Sequence, residues 1–323
     1  MRDQWSRRGF FGLCSTAGAA TLLAACASER HDDRGAPGPV TITHLFGETT
    51  VPEPPKRVVS AGYTGQDDLL ALGVVPIAVT AWFGDQPFAV WPWARQRLGA
   101  ARPVVLDLDN GIAVDQIADL KPDLIIATNA GVDAETYQKL SAIAPTVPQS
   151  GGEAFFEPWK TQATAIGAAV HQPQQMRSLI DGVDAQFAEV AAAHPGFAGK
   201  KALLLAGRLE SGPDSDSGHG FVTAGTGWRT EFLAQMGLTV ADAPAVIGRD
   251  RVGATLGGAD VLIWTTESDD ERRALLDDPD IAAYESRSVF TTKDQAGAIA
   301  FASPLSYPLV AQQLPGPIAE IVG

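Results

Sequence analysis

Aromatic side chains in loops are the residues of this chain whose type and spacing could bind a ligand directly. Trp91 and Trp93 flank a proline in the segment AVWPWAR, where burying both indoles in a core is awkward. Indoles that stay partly exposed suit a planar or aromatic-rich ligand such as a catecholate, a phenolate or a porphyrin. The alternative is that one indole packs under the loop while the other covers it. Trp159 and Trp228 lie at helix starts, where a structural role is favoured.

Two arginines are the cationic candidates in the second half of the chain, Arg208 and Arg249. A guanidinium group can meet carboxylate or hydroxamate oxygens through two parallel hydrogen bonds. Either residue could equally be an ordinary surface arginine. The two positions therefore predict a place for anionic groups of a ligand, with a solvated side chain as the alternative.

Metal binding and catalysis are not indicated by any motif. The histidines at positions 44, 171, 194 and 219 are scattered, and no pair has the spacing of metal ligands. There is no G-x-S-x-G elbow, no phosphate-binding G-x-x-x-x-G-K-[ST] loop and no G-x-G-x-x-G after a strand. We therefore predict a protein that is not an enzyme and has neither a metal site nor an intrinsic cofactor. A lipid-anchored envelope enzyme and an adhesion protein are the alternatives from other classes.

A long amphipathic helix, Pro173 to His194, is predicted near the middle of the chain. Apolar residues recur there on one helical stripe: Met176, Leu179, Ile180, Val183, Phe187 and Val190. Pro173 suits the first turn, and Pro195 with Gly196 ends the helix. Strand-like and helix-like segments alternate on both flanks, which is typical of mainly parallel sheets with helices on both faces. The predicted fold class is α/β, with two lobes joined by one long α-helix.

Residues just after the predicted strands form the candidate binding site, because open α/β sheets bind ligands at the carboxyl ends of their strands. This rule selects Tyr63, Trp82, Asn129, Arg208 and Trp264 with Thr265. Ser303 follows a strand-like segment, 299–302, and is a further candidate hydroxyl for the cleft.

Charge and cysteine content restrict the partners. The chain of 323 residues carries a net charge of −14, which argues against a nucleic-acid partner because such a partner needs a concentrated basic face. Cys14 and Cys26 are its two cysteines, and both lie in the leader region. The folded part is therefore predicted to contain no disulfide.

The first 26 residues look like an export signal. Arg7 and Arg8 precede a weakly apolar run, 10–25, as in a twin-arginine signal. The run ends in Leu-Ala-Ala-Cys, which resembles a bacterial lipobox with Cys26 as the lipidated residue. The polar, Gly/Pro-ending segment after it predicts a disordered tether. We therefore expect a globular protein anchored by lipid on the outer face of the cytoplasmic membrane.

Three stretches together resemble one protein family: PKRVVS at 55–60 followed by DDLLALGV at 67–74, DQIADLKPDLII at 115–126 and GADVLIW at 258–264. With the lipobox and the central helix, they are similar to the substrate-binding lipoproteins of ABC importers for ferric siderophores, haem and cobalamin. The resemblance implies two Rossmann-like lobes bridged by one long helix, with the ligand in a shallow cleft between them. The predicted organisation is a signal peptide at 1–26, a tether at 27–39, an N-terminal lobe at 40–157, a helical linker at 158–196, a C-terminal lobe at 197–302 and closing helices at 303–323.

The resemblance also implies site residues. Related siderophore binders often place an arginine in the loop that here contains Asp109, and this departure puts an anionic ligand in doubt on the first lobe. The same departure leaves room there for a neutral ferric complex or for one carrying cationic groups. Related proteins dock on their permease through one acidic residue on each lobe, which selects Asp67 and Glu231 here. The alternative is that both carboxylates merely favour helix N-termini.

The function implied is capture of an iron chelate, a ferric siderophore or haem, and its delivery to an ABC permease dimer with its ATPase. Cobalamin is the alternative ligand within the same family. The expected protein is a monomer.

Overall fold

Two parallel β-sheets, each flanked by helices, organise the computed structural model of this chain, which describes residues 38–209 and 222–323. The predicted signal peptide with its Cys26 lies outside the described residues, as does the predicted tether apart from its last two positions. Within the described ranges, no helix combines the length and apolar character needed to cross a membrane.

The N-terminal lobe is the part built around a five-stranded sheet with the strand order β5-β4-β3-β6-β7, and every neighbouring pair in it is parallel. An antiparallel hairpin, β1-β2, precedes that sheet. The elements are β1 (Val40–His44), β2 (Gly47–Val51), β3 (Val58–Ser60), α1 (Gly65–Ala71), β4 (Ala78–Thr80), α2 (Pro92–Leu98), β5 (Val104–Leu106), α3 (Val114–Asp119), β6 (Leu124–Ala127), α4 (Ala134–Ser141) and β7 (Thr146–Pro148).

Two consecutive helices, α5 (Trp159–Ala169) and α6 (Pro173–Ala193), connect the lobes. The C-terminal lobe is built around a parallel sheet with the order β10-β8-β12-β13. Its elements are β8 (Lys201–Ala206), β9 (Val222–Thr223), α7 (Glu231–Gln235), β10 (Thr239–Val240), β11 (Val246–Ile247), α8 (Val252–Gly257), β12 (Val261–Thr265), α9 (Asp269–Leu276), α10 (Pro279–Ala282), β13 (Ser288–Phe290), α11 (Lys293–Phe301), α12 (Tyr307–Gln313) and α13 (Pro315–Val322). The predicted α/β class with parallel sheets is confirmed.

Helix α6 lies between the lobes, as its sequence pattern predicts. Met176, Val183 and Phe187 are its buried residues, and the helix packs against α5, α7 and α12. These three side chains belong to one continuous hydrophobic cluster that contains Leu124 of the first sheet and Leu204 of the second. Helix α6 therefore contributes to a core that the two sheets share.

Helix α11 makes a second crossing that the sequence pattern did not indicate. It follows β13 of the second sheet and begins with a capping box, in which Thr292 Oγ1 accepts from Gln295 N and Gln295 Oε1 accepts from Thr292 N. It ends at Phe301, whose ring lies 5.7 Å from Trp82 and 5.8 Å from Trp93 of the N-terminal lobe. The strand-like segment predicted at 299–302 is wrong, because this run is the end of a helix.

Candidate ligand-binding cleft

A cavity of about 610 Å³ opens between the two lobes. The N-terminal lobe contributes aromatic rings to it, and the C-terminal lobe contributes the carboxyl ends of β8 and β12. Ala296, Ile299 and Ala300 of α11 also line it. The cavity thus lies where the strand-end rule expects a ligand.

Four stacked aromatic rings form the N-terminal side of the cleft and its surroundings, called the aromatic wall below: Tyr63, Trp82, Phe155 and Phe156. The Tyr63 ring stacks on Trp82 at 5.4 Å and on Phe155 at 5.9 Å, and Trp82 lies 5.0 Å from Phe156. The structure therefore brings the predicted residues Tyr63 and Trp82 together. The two phenylalanines were missed, although adjacent aromatics in the loop sequence EAFFEP are a signal that could have selected them.

Asn129 forms hydrogen bonds that connect the aromatic wall to the start of helix α1. Its buried side chain accepts a hydrogen bond from Phe156 N at 2.9 Å through Oδ1 and donates to Thr64 Oγ1 at 3.2 Å through Nδ2. Both Asn129 (φ 53°) and Phe156 (φ 59°) have left-handed backbone conformations, which cost energy in residues other than glycine. The hydrogen bond holds the backbone of Phe156, which carries the ring, so Asn129 acts here as a positioning residue.

Trp228 joins the lobes at the cleft. Its indole Nε1 donates to the backbone oxygen of Phe156 at 3.0 Å, and its ring lines the cavity. The structural role predicted for Trp228 is therefore only part of what the structure shows, because the residue also faces the space where a ligand would lie.

The C-terminal side of the cleft carries charges of both signs. Arg229 lies with its guanidinium carbon 4.5 Å from the ring centre of Phe156, in cation–π geometry. Burial lowers the pKa of Arg229, but an arginine remains protonated at neutral pH. Arg208, predicted as a ligand-binding cation, also lines the cavity. Arg229 was missed, although the sequence GWRTE places it beside a tryptophan at a helix start.

Two glutamates complete the charged side. Glu267 follows β12, and its backbone N–H donates to Glu271 Oε2 at 2.5 Å. Burial raises the pKa of Glu267, and the charge of Glu271 raises it further, whereas Lys293 and Arg208 lower it. Both glutamates line the cavity, and neither was selected from the sequence.

Trp91 does not belong to the cleft, so the prediction of an exposed indole there is wrong. It is 1% exposed and stacks on Trp93 with ring centres 5.0 Å apart. A Cβ on Gly297 of α11 would lie 2.5 Å from the Trp91 ring, which shows how closely the helix approaches the indole. Trp93 is half-buried, and its Nε1 donates to Asp67 Oδ2 at 2.7 Å. The alternative of a local packing unit describes this pair.

Trp264 is also in the wrong place for a ligand contact. Its side chain is fully buried on the far face of β12, where Nε1 donates to Ser288 Oγ at 3.1 Å. Successive residues of a strand point to opposite faces, so its neighbour Thr265 lines the cleft instead. The strand-end rule found the correct strand but not the correct face.

Asp67 cannot serve as a docking residue, because it is fully buried. Its Oδ2 accepts hydrogen bonds from Ser303 Oγ and Trp93 Nε1, both at 2.7 Å. Burial raises the pKa of Asp67 to about 6, although the two hydrogen bonds act in the opposite direction. Ser303 is buried with it, so this hydroxyl does not reach the cleft as predicted. The hydrogen bond between Ser303 and Asp67 instead connects the segment after α11 to helix α1.

The remaining predicted residues lie outside the cavity lining. Arg249 pairs with Asp278 and with Asp280, and the hydrogen bond that its guanidinium donates to Asp278 raises the pKa of Arg249. Asp109 is exposed in a turn. Glu231 has a 46% exposed side chain that lies 3.5 Å from Lys160 Nζ. Within residues 38–209 and 222–323, no group of His, Cys, Asp and Glu side chains could hold a metal ion.

Comparison with known proteins shows which family this chain resembles. A family model described as periplasmic binding protein matches residues 58–296. A probable siderophore-binding lipoprotein of Bacillus subtilis, YfiY, is 32% identical over 155 residues, which cover 46% of this chain and 44% of the relative. The Bacillus subtilis iron(3+)-hydroxamate-binding protein YxeB is 30% identical over 138 residues, or 43% and 36% of the two chains. The chain thus spans less than half the length of these two curated relatives.

Solved structures match over most of the chain. A periplasmic solute binding protein from Mycobacterium smegmatis is 62% identical, with a TM-score of 0.85 over 88% of this chain and 99% of that one. Streptococcus pneumoniae PiaA in complex with ferrichrome has a TM-score of 0.68 at 21% identity, over 88% and 98% of the two chains. At that identity, the second likeness concerns the fold alone.

Proposed function

Because this chain belongs to the periplasmic binding protein family, we propose that it captures a ferric siderophore outside the cytoplasm and delivers it to an ABC importer. The observation that carries this proposal is the inter-lobe cleft, in which aromatic rings face two arginines. Aromatic faces bind flat chelating groups, and guanidinium groups bind the oxygens around the metal. The names of the Bacillus subtilis relatives support an iron chelate as the ligand.

Binding without catalysis accounts for the arrangement of the cleft. Its charged groups stand around an open cavity, and its aromatic rings provide contact area rather than reactive atoms. The iron is cargo carried within the ligand, so we propose that the protein uses no cofactor of its own. The protein works as a monomer, since the two lobes of one chain together supply the cleft.

The lipid anchor is part of the same proposal. Two of the Bacillus subtilis relatives are named lipoproteins, which supports lipidation of Cys26 in this chain. A Cys26→Ser variant should leave the membrane fraction and appear in the soluble fraction of the cell envelope. Recovery of the variant with the membranes would contradict the anchor.

Docking on the permease is assigned to Glu231 in the C-terminal lobe. Its exposed carboxylate at the start of α7 is accessible to an arginine of a partner, although Lys160 Nζ at 3.5 Å competes for it. A Glu231→Gln variant should keep its ligand affinity but support slower iron uptake in cells. Unchanged uptake would remove Glu231 from the docking surface.

The test of ligand class is a tryptophan-fluorescence titration of the mature protein with a ferric tris-hydroxamate, a ferric tris-catecholate, haem and cobalamin. Trp82 and Trp228 line the cleft, so a bound ferric complex should quench their emission. Saturable quenching by a ferric chelate with a dissociation constant of about 1 μM or tighter is expected. Saturation by haem or cobalamin alone would overturn the siderophore assignment.

A further inference from the structure

The charges that line the cleft cancel. Among its lining residues in the described ranges, the charged side chains are Arg208, Arg229, Glu267 and Glu271, two of each sign. A cleft that selected strongly anionic complexes would be expected to present cations without matching carboxylates. The balance indicates a ligand whose own net charge is small.

Glu267 is the carboxylate best placed to enforce that preference. It lies directly beyond the end of β12, where the strand-end rule puts the ligand, and its side chain is half-buried. No side chain in residues 38–209 and 222–323 donates a hydrogen bond to its carboxylate. Glu271 differs, because its Oε2 already accepts the Glu267 N–H at 2.5 Å. Of the two carboxylates, Glu267 is thus the one whose oxygens accept no side-chain hydrogen bond within the described residues.

The two arginines differ in their relation to this carboxylate, because Arg208 lowers the pKa of Glu267 whereas Arg229 lies over an aromatic ring. Arg229 is held over Phe156, with Trp228 5.6 Å away, at the aromatic side of the cleft. Arg208 and Lys293 act on Glu267, but Glu271 and Asp85 act on it with the opposite sign. Around Glu267, the charges of Arg208 and Lys293 are thus opposed by those of Glu271 and Asp85. Removing the charge of Glu267 would therefore leave the otherwise balanced cleft lining with one net positive charge.

We propose that Glu267 is a specificity-determining residue that makes the cleft prefer neutral or cationic ferric complexes and disfavour multiply anionic ones. The proposal rests on the proposed function and narrows its substrate class. A charge in a half-buried cleft acts through an effective dielectric constant well below that of water, so one carboxylate suffices to discriminate between ligands. The net charge of −14 on the whole chain acts in the same direction, but it is screened at physiological ionic strength.

The test compares Glu267→Gln with the wild-type protein on three probes of similar size. These are ferrioxamine B, which is cationic, ferrichrome, which is neutral, and a ferric tris-catecholate, which is triply anionic. Glutamine keeps the shape and an acceptor oxygen but removes the charge. We expect affinity for the anionic probe to rise about tenfold, affinity for the neutral probe to change less than about twofold, and affinity for the cationic probe to fall about threefold.

A matched control removes the same charge elsewhere. Glu320 is exposed on α13, outside the cleft lining, so Glu320→Gln should change none of the three affinities by more than about twofold. The effect of Glu267→Gln on the anionic probe should also shrink as salt is raised from about 0.05 to 0.5 M, because exposed and half-exposed charges are screened. A role in packing alone would show no such salt dependence.

The outcomes separate the two proposals. If the wild-type protein binds none of the three ferric probes, the proposed function fails. If it binds them but Glu267→Gln shifts all three affinities by the same factor, or shifts none, the charge preference is not set by Glu267. An equal rise for the anionic probe in Glu320→Gln would assign the effect to overall charge instead.

Discussion

Two aromatic clusters lie side by side in the N-terminal lobe, yet they differ in whether their rings reach the cleft. Trp82 and Phe156 of the aromatic wall line the cleft, whereas Trp91 and Trp93 stack against each other beside the end of α11. Both clusters are built from rings at distances near 5 Å, so ring stacking alone does not tell them apart. The difference lies in what covers them, because Gly297 lets α11 close over Trp91 while the cavity stays open over Trp82.

The largest expected effect is on folding, from Trp91→Ala. Removing a fully buried indole should cost about 3–5 kcal/mol of unfolding free energy, because the closely packed helix α11 cannot fill the space. Urea denaturation followed by circular dichroism measures the loss, and a milder Trp91→Phe variant should remain folded for titration. Its affinity for a ferric siderophore should stay within about threefold of wild type. A loss of affinity without a loss of stability would move Trp91 into the binding site.

The buried cluster should also make stability depend on pH. Asp67 accepts from Trp93 and has a pKa raised to about 6, above the ordinary value near 4. Between these values the folded protein holds a proton that the unfolded chain has lost. Unfolding free energy should therefore fall as pH rises from about 4 to 6, by up to about 3 kcal/mol from this group.

An Asp67→Asn variant tests this assignment, because an amide cannot ionise but can still accept from Trp93. Its unfolding free energy, measured by denaturant titration at several pH values, should decline less steeply than that of wild type across that window. The exposed Asp119 on α3 offers the matched control, Asp119→Asn. A wild-type slope in Asp67→Asn would show that other buried carboxyls, such as Asp68, produce the pH dependence.

For the aromatic wall we expect the opposite of the Trp91→Ala result. Trp82→Ala should reduce ligand affinity more than it reduces the unfolding free energy. Trp82 is only partly buried and lines the cavity, so its loss should reduce siderophore affinity about tenfold or more, or roughly 1.4 kcal/mol. The unfolding free energy should fall by less than about 2 kcal/mol. Fluorescence or calorimetric titration measures the first quantity. An unchanged affinity would leave the two clusters without a functional difference.

A smaller effect on ligand affinity is expected from substitution of Asn129, which supports the aromatic wall. Removing its side chain takes away the hydrogen bond to Phe156 N, and affinity should fall about threefold to fivefold as the ring loses its fixed direction. Asn129→Gly removes the amide while tolerating the positive φ, and Asn129→Ala adds backbone strain. Equal affinity losses in both variants would identify the hydrogen bond as the cause. A loss confined to Asn129→Ala would identify the backbone instead.

The same contrast shows what the sequence could predict. The helix that begins at Pro173 was predicted to end within one residue of its observed end. Over its 21 residues, the spacing of the apolar side chains directly reflects which face of the helix is buried. Trp82 lies in the cavity lining, with Tyr63 stacked on it, and both positions could be selected because strand ends are local features. The burial of Trp91 depends on Gly297, which is distant in the chain, so no local pattern could reveal it. Trp264 failed for a related reason, since the face of a strand is decided by its neighbours in the sheet.

Charged residues were the hardest to assign, because a charge is useful in many places. Arg249 is engaged by Asp278 and Asp280, whereas Arg229 acquires its position from the ring of Phe156. Asp67 was placed correctly at the start of a helix, but its burial against Ser303 depends on the C-terminal end of the chain. These outcomes follow from contacts between segments that lie far apart in sequence.

Helix α11 has a consequence for how an occupied cleft could be sensed. Its residues Ala296, Ile299 and Ala300 touch the cavity, and its last residue, Phe301, is fixed among N-terminal rings while Ser303 is bound to Asp67. A ligand that contacts this helix therefore contacts an element that is attached to both lobes. We expect ligand bulk to be converted into a small tilt of one lobe against the other, which the importer would read as a change in distance between two outer surfaces.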